Sequence, residues 1–181
     1  MKRNRRRAGR PRRSVIDRER VLDAGLALLE ERGLEHTTMR GIARRLGVDP
    51  MALYHYFPDR DAVLRAAAER VYAGLSPRRA RGWRGRLHAL AAAYVDLLRR
   101  AGELLRYLTR SALAAREATA RFRALFDAAI VPLRFSPATA RAAHDAYVDL
   151  LHGFALGGDA PRARLRAEVA VLLAGFGALA R

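Results

Sequence analysis

The chain has 181 residues, enough for one medium-sized domain or two small ones, and its 51% hydrophobic content is ample for a packed core. It contains no cysteine, which excludes disulfides and thiolate metal sites, and no apolar run approaches the roughly 18 residues of a membrane span. The formal net charge is +17, and the basic N-terminus lacks the apolar run of a secretory signal, so we expect a cytoplasmic protein with no membrane partner.

The first thirteen residues carry eight basic side chains and no acidic ones. We predict a disordered basic arm over 1–13 that adds phosphate contacts without sequence preference. A second interpretation stays open, because Gly9-Arg10-Pro11 is similar to the core of an AT-hook, which lies in a narrow minor groove, although Ala8 departs from the usual order. In that interpretation the minor-groove residues are Arg7, Arg10, Arg12 and Arg13.

The arm is followed by a nearly neutral region that begins with a predicted helix. This helix runs from Val15 to Arg32, with Ser14 as its N-cap and Gly33 as its stop. Apolar residues at helical spacing form its core face: Val21, Leu22, Leu26 and Leu29.

The segment 37–60 contains the capping, stop and apolar positions of a helix-turn-helix in the correct order. Thr37 or Thr38 can cap a first helix, and Gly47 can end it where a left-handed residue is needed. Asp49 can cap a second helix, with a proline at the first position, where the missing N–H costs nothing. The pattern predicts a DNA-binding motif, and the alternative is an ordinary αα-hairpin within a helical bundle.

The remaining sequence continues the helical pattern. Asp59 is placed to cap a helix that ends near Ser76-Pro77, and Pro77 to Gly85 is expected to form a connection. Further helices are predicted over Leu87 to Arg100, Leu104 to about Phe126 with an interruption, Pro137 to Leu156, and Arg162 to Ala180. No period-two alternation indicates a strand, so the sequence predicts an all-α protein.

The motif residues resemble the TetR family of one-component regulators, through Thr38 to Val48, Leu53 to Phe57, and Asp59-Arg60. The resemblance covers about the first 75 residues and extends to the rest in helical layout and length. It implies an all-α fold with an N-terminal three-helix helix-turn-helix DNA-binding domain over 14–75. It also implies a C-terminal helical ligand-binding and dimerisation domain over 76–181, in a homodimer that a small effector regulates.

Individual roles follow from the resemblance. The base-facing positions of the family fall on Arg40, Pro50, Met51 and Tyr54. The phosphate-facing positions fall on Thr38, His55, Tyr56 and Arg60, and on Ala52, which cannot donate a side-chain hydrogen bond. Arginine can bind guanine O6 and N7 bidentately, whereas proline and methionine favour contact with the thymine methyl. Core packing is the alternative for Tyr54 and for Phe57.

The C-terminal half offers candidates for an effector pocket, each of which can equally be ordinary core: Tyr94, Leu97, Leu98, Leu104, Tyr107, Phe122, Phe126, Tyr147 and His152. No histidine pair lies at i, i+4, so no metal site is expected. From Leu75 onward 18 arginines face eight acidic residues, an excess that favours an anionic effector such as a carboxylate or acyl thioester, although exposed arginine faces explain it as well.

The last two predicted helices are broadly apolar and resemble the family's dimer interface, with burial inside one subunit as the alternative. The expected interface residues are Leu150, Phe154, Val169, Leu172 and Phe176. No catalytic motif or cofactor-binding loop is present, so we expect neither an enzyme nor a cofactor. The sequence predicts a repressor that binds a palindromic operator as a dimer and is released by a small molecule. An architectural DNA-binding protein without an effector is the alternative.

Overall fold

A computed structural model describes residues 16–110, 119–158 and 160–180, whose regular structure is helical throughout. The N-terminal helices are α1 (Arg18–Arg32), α2 (Met39–Leu46), a 3₁₀ helix (Pro50–His55) and α3 (Arg60–Ala73). The C-terminal helices are α4 (Gly82–Arg100), α5 (Gly102–Arg110), α6 (Ala120–Ile130), a 3₁₀ turn (Val131–Leu133), α7 (Pro137–Leu156) and α8 (Arg162–Leu179). The predicted all-α class is confirmed for these ranges. We call α1, α2 and the first 3₁₀ helix the head, and α4 to α8 the bundle.

Helix α1 begins later than the sequence predicts. Its N-cap is Asp17, whose Oδ1 accepts a hydrogen bond from the Arg20 N–H at 2.8 Å. The expected start at Val15 is therefore wrong, and Ser14 and the basic arm lie outside the described residues. Ile16 lies outside the helix, and its carbonyl accepts a hydrogen bond from the Tyr56 hydroxyl at 2.7 Å.

The head and the bundle have separate apolar cores, and α3 contributes to both. Val63 and Ala67 of α3 pack in the head core, together with α1 and α2 residues. Leu64 and Ala68, each the next residue along, pack in the bundle core. Successive residues on a helix are separated by about 100° of rotation, so one helix can supply two adjacent faces. Helix α3 therefore joins the two parts by packing.

Two boundaries between the head and the bundle differ from the predictions. Helix α3 ends at Ala73, before the expected Ser76-Pro77, and α4 begins at Gly82, within the predicted connection from Pro77 to Gly85. The start of α4 has no side-chain cap, since Arg81 occupies the N-cap position without capping a backbone N–H. No local signal therefore marked that start. None of the described helices has the length and apolarity needed to cross a bilayer.

Candidate nucleic-acid interface

The turn of the helix-turn-helix is built as the sequence predicts. Thr38 caps α2 by accepting a hydrogen bond from the Gly41 N–H at 3.0 Å, and Gly47 ends it in the left-handed conformation with φ 67°. Asp49 caps the following helix by accepting from the Met51 N–H at 2.8 Å. These three predictions are confirmed. The second helix is 3₁₀ in form over its six residues, which narrows it relative to an α-helix.

Alternate sides of the 3₁₀ helix face the core and the surface. Leu53 is fully buried, whereas Met51 is 68% exposed and Tyr54 is 47% exposed. Core packing therefore does not account for Tyr54, although it does account for Phe57, which is buried beneath the Arg18 guanidinium. Exposed methionine and tyrosine side chains on a capped helix present apolar surface to a partner.

Helix α2 presents arginines of two kinds. Arg45 is held in a bidentate ion pair with Glu31, with N–O distances of 2.7 and 2.8 Å, and this hydrogen bonding lowers the pKa of the Glu31 carboxyl. Arg40 and Arg44 are exposed one turn apart and have no ion-pair partner among the described residues. The predicted base-facing set includes Arg40 but omits Arg44, which the i, i+4 spacing could have revealed.

The four phosphate-facing residues with polar side chains differ in whether those side chains already have partners. Thr38 and His55 are exposed at the ends of the motif. Arg60 lies against the neighbouring Asp61, with an N–O distance of 3.1 Å. The Tyr56 hydroxyl donates to the Ile16 carbonyl, so its proton is already used. The same bond fixes the chain just before α1 beside the motif.

The predicted effector-pocket residues lie inside the bundle, where they pack against one another. All are buried except His152, which is half-buried. The Tyr94 hydroxyl lies 3.0 Å from His152 Nε2 and 3.4 Å from the Tyr72 hydroxyl, and its ring centroid is 4.2 Å from that of Phe122. Burial raises the pKa of Tyr94 and lowers the pKa of His152, which keeps both groups neutral.

The remaining pocket candidates are placed around this cluster. The hydroxyl of Tyr147 donates to the Leu87 carbonyl, and the Phe126 centroid lies 5.3 Å from that of Tyr147. The buried residues Leu97, Leu98, Leu104 and Tyr107 line the neighbouring part of the core. Among the nine candidates, Leu97 also lines an open cleft of about 510 Å³ on the bundle surface. No group of three metal-ligating side chains occurs among the described residues.

The predicted interface residues on α7 and α8 face in different directions. Phe154, Val169 and Phe176 are buried within the protomer, so their side chains serve its own core, as the alternative interpretation proposed. Leu150 and Leu172 are half-buried at the edge of that core. A different face of α8 is exposed, and it is formed by small and apolar residues at helical spacing: Ala167, Ala170, Val171, Ala174, Gly175, Ala178 and Leu179.

A protein-family model matches most of the head and part of α3. Residues 21–67 match the model described as bacterial regulatory proteins, tetR family. This range runs from within α1 into α3 and contains the whole helix-turn-helix.

Two curated relatives and one solved structure extend the comparison. The nucleoid occlusion factor SlmA of Haemophilus influenzae (strain PittGG) is 33% identical over 119 residues, or 61% of this chain and 55% of the relative. The HTH-type transcriptional regulator BetI of Burkholderia mallei (strain NCTC 10229) is 35% identical over 88 residues, or 45% of each. The chain thus spans about half the length of these curated relatives.

The solved structure is BioQ in complex with its natural double-stranded DNA operator. It superposes with a TM-score of 0.76 and 23% identity, and the match covers 91% of this chain and 99% of BioQ. At this level of identity the likeness concerns the fold, which the two chains share over nearly their whole length.

Proposed function

Since the chain belongs to the tetR family of bacterial regulatory proteins, we propose that it is a transcriptional repressor that binds a near-palindromic operator as a homodimer. One observation carries this proposal: the exposed Met51 and Tyr54 side chains stand on a capped helix beside the exposed Arg40. The capped helices already fix the backbone that carries these side chains, so only the side chains have to order on binding, which reduces the entropic cost of recognition.

The roles within the interface divide between bases and backbone. We propose base contacts for Arg40, Pro50, Met51 and Tyr54. Thr38, His55 and Arg60 would contact phosphates, with the exposed Arg44 added to them. Tyr56 would act by positioning, because its hydroxyl holds the chain at Ile16, and the basic arm would contact the minor groove or the phosphates beyond it.

Alanine variants of the base-contacting residues test this proposal. The operator is first located by footprinting the DNA that flanks the gene, and binding is then measured to it and to random DNA. Arg40→Ala and Tyr54→Ala should each cost about 1–3 kcal/mol on the operator and little on random DNA, because base contacts carry sequence preference. Arg45→Ala is the matched control, since it removes an arginine from the same helix that is paired with Glu31. Equal losses on both DNAs would contradict base readout by Arg40 and Tyr54.

The homodimer is proposed to form through α7 and α8. Leu150 and Leu172 lie at the edge of the contact, and the exposed face of α8 around Val171 lies at its centre, since Val171 is 75% exposed. Small side chains let two helices approach closely, so this face suits helix–helix packing with a second copy. Phe154, Val169 and Phe176 would support the interface from within the protomer.

A charge placed on this face should separate the subunits. Val171→Arg is expected to give monomers that lose operator binding, because an uncompensated charge buried in the contact is strongly destabilising. Val131→Arg is the control, since Val131 is 70% exposed and lies outside these two helices. Light scattering and operator binding provide the readouts. A Val171→Arg protein that remains dimeric would show that the interface lies elsewhere.

Release from the operator is proposed to require a small effector bound in the bundle, with higher affinity for the conformation that does not bind DNA. The buried residues around Tyr94 and His152 remain the predicted pocket. A DNA-binding protein without an effector is the second candidate, favoured by the likeness to SlmA, which is a nucleoid occlusion factor. A low ratio of specific to nonspecific affinity would favour the second candidate.

A further inference from the structure

A surface cleft of the bundle lies where the head joins it. It has a volume of about 510 Å³, within the range of sites for small organic molecules. Its walls are the junction Gly74-Leu75-Ser76 after α3, the alanine face of α4, and the first residue of α8. We call it the arginine cleft, after the charged residues at its rim: Arg78, Arg100 and Arg162.

The arginine cleft carries an excess of positive charge. Asp96 is the one carboxylate among the residues that line it, and this group is already bound by Arg162, with N–O distances of 2.9 and 3.1 Å. Arg78 and Arg100 are exposed and have no hydrogen-bond or ion-pair partner within the described ranges. Two guanidinium groups thus remain available, and guanidinium pairs are suited to carboxylates and phosphates.

An apolar chamber adjoins the arginine cleft. It has a volume of about 110 Å³ and shares Ala92, Asp96 and Arg162 with the cleft. Its floor is apolar and is formed by Val95, Phe154, Leu165 and Val169, among others. The Arg99 guanidinium at its rim donates to the carbonyls of Gly158 and Ala160 and is therefore already engaged. A molecule that spans both spaces would meet charge at one end and apolar side chains at the other.

We propose that the arginine cleft and its chamber bind a small organic anion with a short apolar part. Arg78 and Arg100 would bind the anionic group, and the apolar part would enter the chamber past Ala92. The excess of arginine in the C-terminal half of the sequence is then partly explained by a defined site. Binding itself does not depend on the proposed function, but its regulatory consequence does.

The position of the cleft connects its occupant to DNA binding. Gly74 to Ser76 follow directly on α3, the helix that packs in both cores, and they form one wall of the cleft. The Leu75 carbonyl accepts a hydrogen bond from Arg121 Nε at 3.5 Å, which ties this junction to α6. An occupant in contact with the junction can favour one position of α3 over another and so shift the head.

The arginine cleft remains open in the proposed dimer. Arg162 and Val171 are nine residues apart on α8, or about two and a half turns, so their side chains project from opposite sides of the helix. A second copy packed on the Val171 face would leave the Arg162 side accessible.

The test uses the full chain without DNA and three probes of equal chain length: octanoate, octyl phosphate and the neutral octanol. Isothermal titration should show one site per chain for at least one of the two anions, with octanol binding much more weakly. Arg78→Ala and Arg100→Ala should each reduce anion affinity about tenfold, the loss expected for one charge-assisted hydrogen bond. Arg141→Ala, which removes an exposed arginine elsewhere on the bundle, should leave the affinity unchanged.

A steric variant separates the site from general attraction to positive charge. Ala92→Phe keeps every arginine but places a ring between the cleft and the chamber, so it should abolish anion binding. The melting temperatures of the free variants should match that of the unaltered chain, which shows that they are folded.

Several outcomes would overturn the proposal. The proposal would be wrong if neither anion bound, or if octanol bound as well as the anions. It would also be wrong if inorganic phosphate bound as well as octyl phosphate, or if Arg141→Ala had the same effect as Arg100→Ala. Failure of the proposed function is distinguishable, since it would appear as a lack of operator preference while the anion still binds. If both proposals hold, saturating anion should change operator affinity in the unaltered chain and leave that of Ala92→Phe unchanged.

Discussion

The head and the bundle are both helical, but their helices begin in different ways. In the head, Asp17, Thr38 and Asp49 each accept a hydrogen bond from a backbone N–H of the helix that follows. In the bundle, Ser136 caps α7 in the same way, but α4 and α8 begin after Arg81 and Pro161 with no side-chain cap. The head is therefore specified largely by local contacts, whereas these bundle helices depend on packing between residues far apart in the chain. This difference determines which substitutions should damage each part.

The largest effect is expected in the bundle core. Phe126→Ala should lower the free energy of unfolding by about 3–5 kcal/mol, because Phe126 is fully buried and its removal leaves a cavity among large side chains. Urea denaturation measures the change. Val131→Ala, at an exposed apolar position outside the core, should change stability very little. A loss below 1 kcal/mol for Phe126→Ala would mean that the bundle does not depend on packing at this point.

A smaller effect is expected at a cap in the head. Asp49→Ala should cost about 1 kcal/mol, because it leaves the Met51 N–H without its acceptor. Asp49→Asn is the control, since asparagine caps as well as aspartate, and it should retain nearly all the stability. If alanine and asparagine behaved alike in chemical denaturation, local capping would not be what specifies this helix.

The smallest effect concerns the pH dependence of the bundle. Burial lowers the pKa of His152 in the folded chain, so the unfolded chain binds more protons between the two pKa values. Stability contributed by neutral His152 is therefore present above its unfolded pKa of about 6.5 and is lost as the pH falls through the folded pKa. His152→Gln should flatten the fall in melting temperature on the acid side. Asp149→Asn should steepen it, because the Asp149 charge opposes the shift. An unaltered slope in His152→Gln would contradict the prediction.

The sequence predicted the head well because its signals are local. Thr38, Gly47 and Asp49 act close to their own positions; Gly47 and Asp49 were assigned correctly, and Thr38 was one of two predicted caps. The start of α1 was predicted wrongly although its N-cap, Asp17, is also a local signal. The Ile16 carbonyl just before it accepts a hydrogen bond from Tyr56, 40 residues further along, and no local pattern contains that contact.

The bundle shows a related limit on what periodicity reveals. The apolar residues of α8 lie at helical spacing, as predicted. The prediction placed Val169 and Phe176 in the dimer interface, but in the structure both are buried in the protomer's own core. The largest side chains fill the interior, and the exposed face is made mostly of alanine and glycine, with Val171 and Leu179 among them. Apolar periodicity shows that a helix has faces, but the direction of each depends on the neighbours that tertiary packing supplies.

The candidate binding residues show the same contrast between local signals and long-range packing. The resemblance of the motif residues to the TetR family placed Met51 and Tyr54 on the surface, and both are exposed. The arginine cleft brings together residues near positions 78, 100 and 162, from three separate stretches of the chain. Nothing in the spacing of these arginines along the sequence indicated that they share a cleft.

The sharing of α3 between two cores affects how this protein could be recombined with its relatives. Val63 and Ala67 match the head, whereas Leu64 and Ala68 match the bundle, so no cut on either side of α3 separates the two parts cleanly. A chimera that joins this head to a foreign bundle would have to keep the first pair and adopt the second from the new partner. The natural exchange unit is therefore a face of a helix and not a length of chain, and homologous recombination at a single crossover point would seldom preserve it.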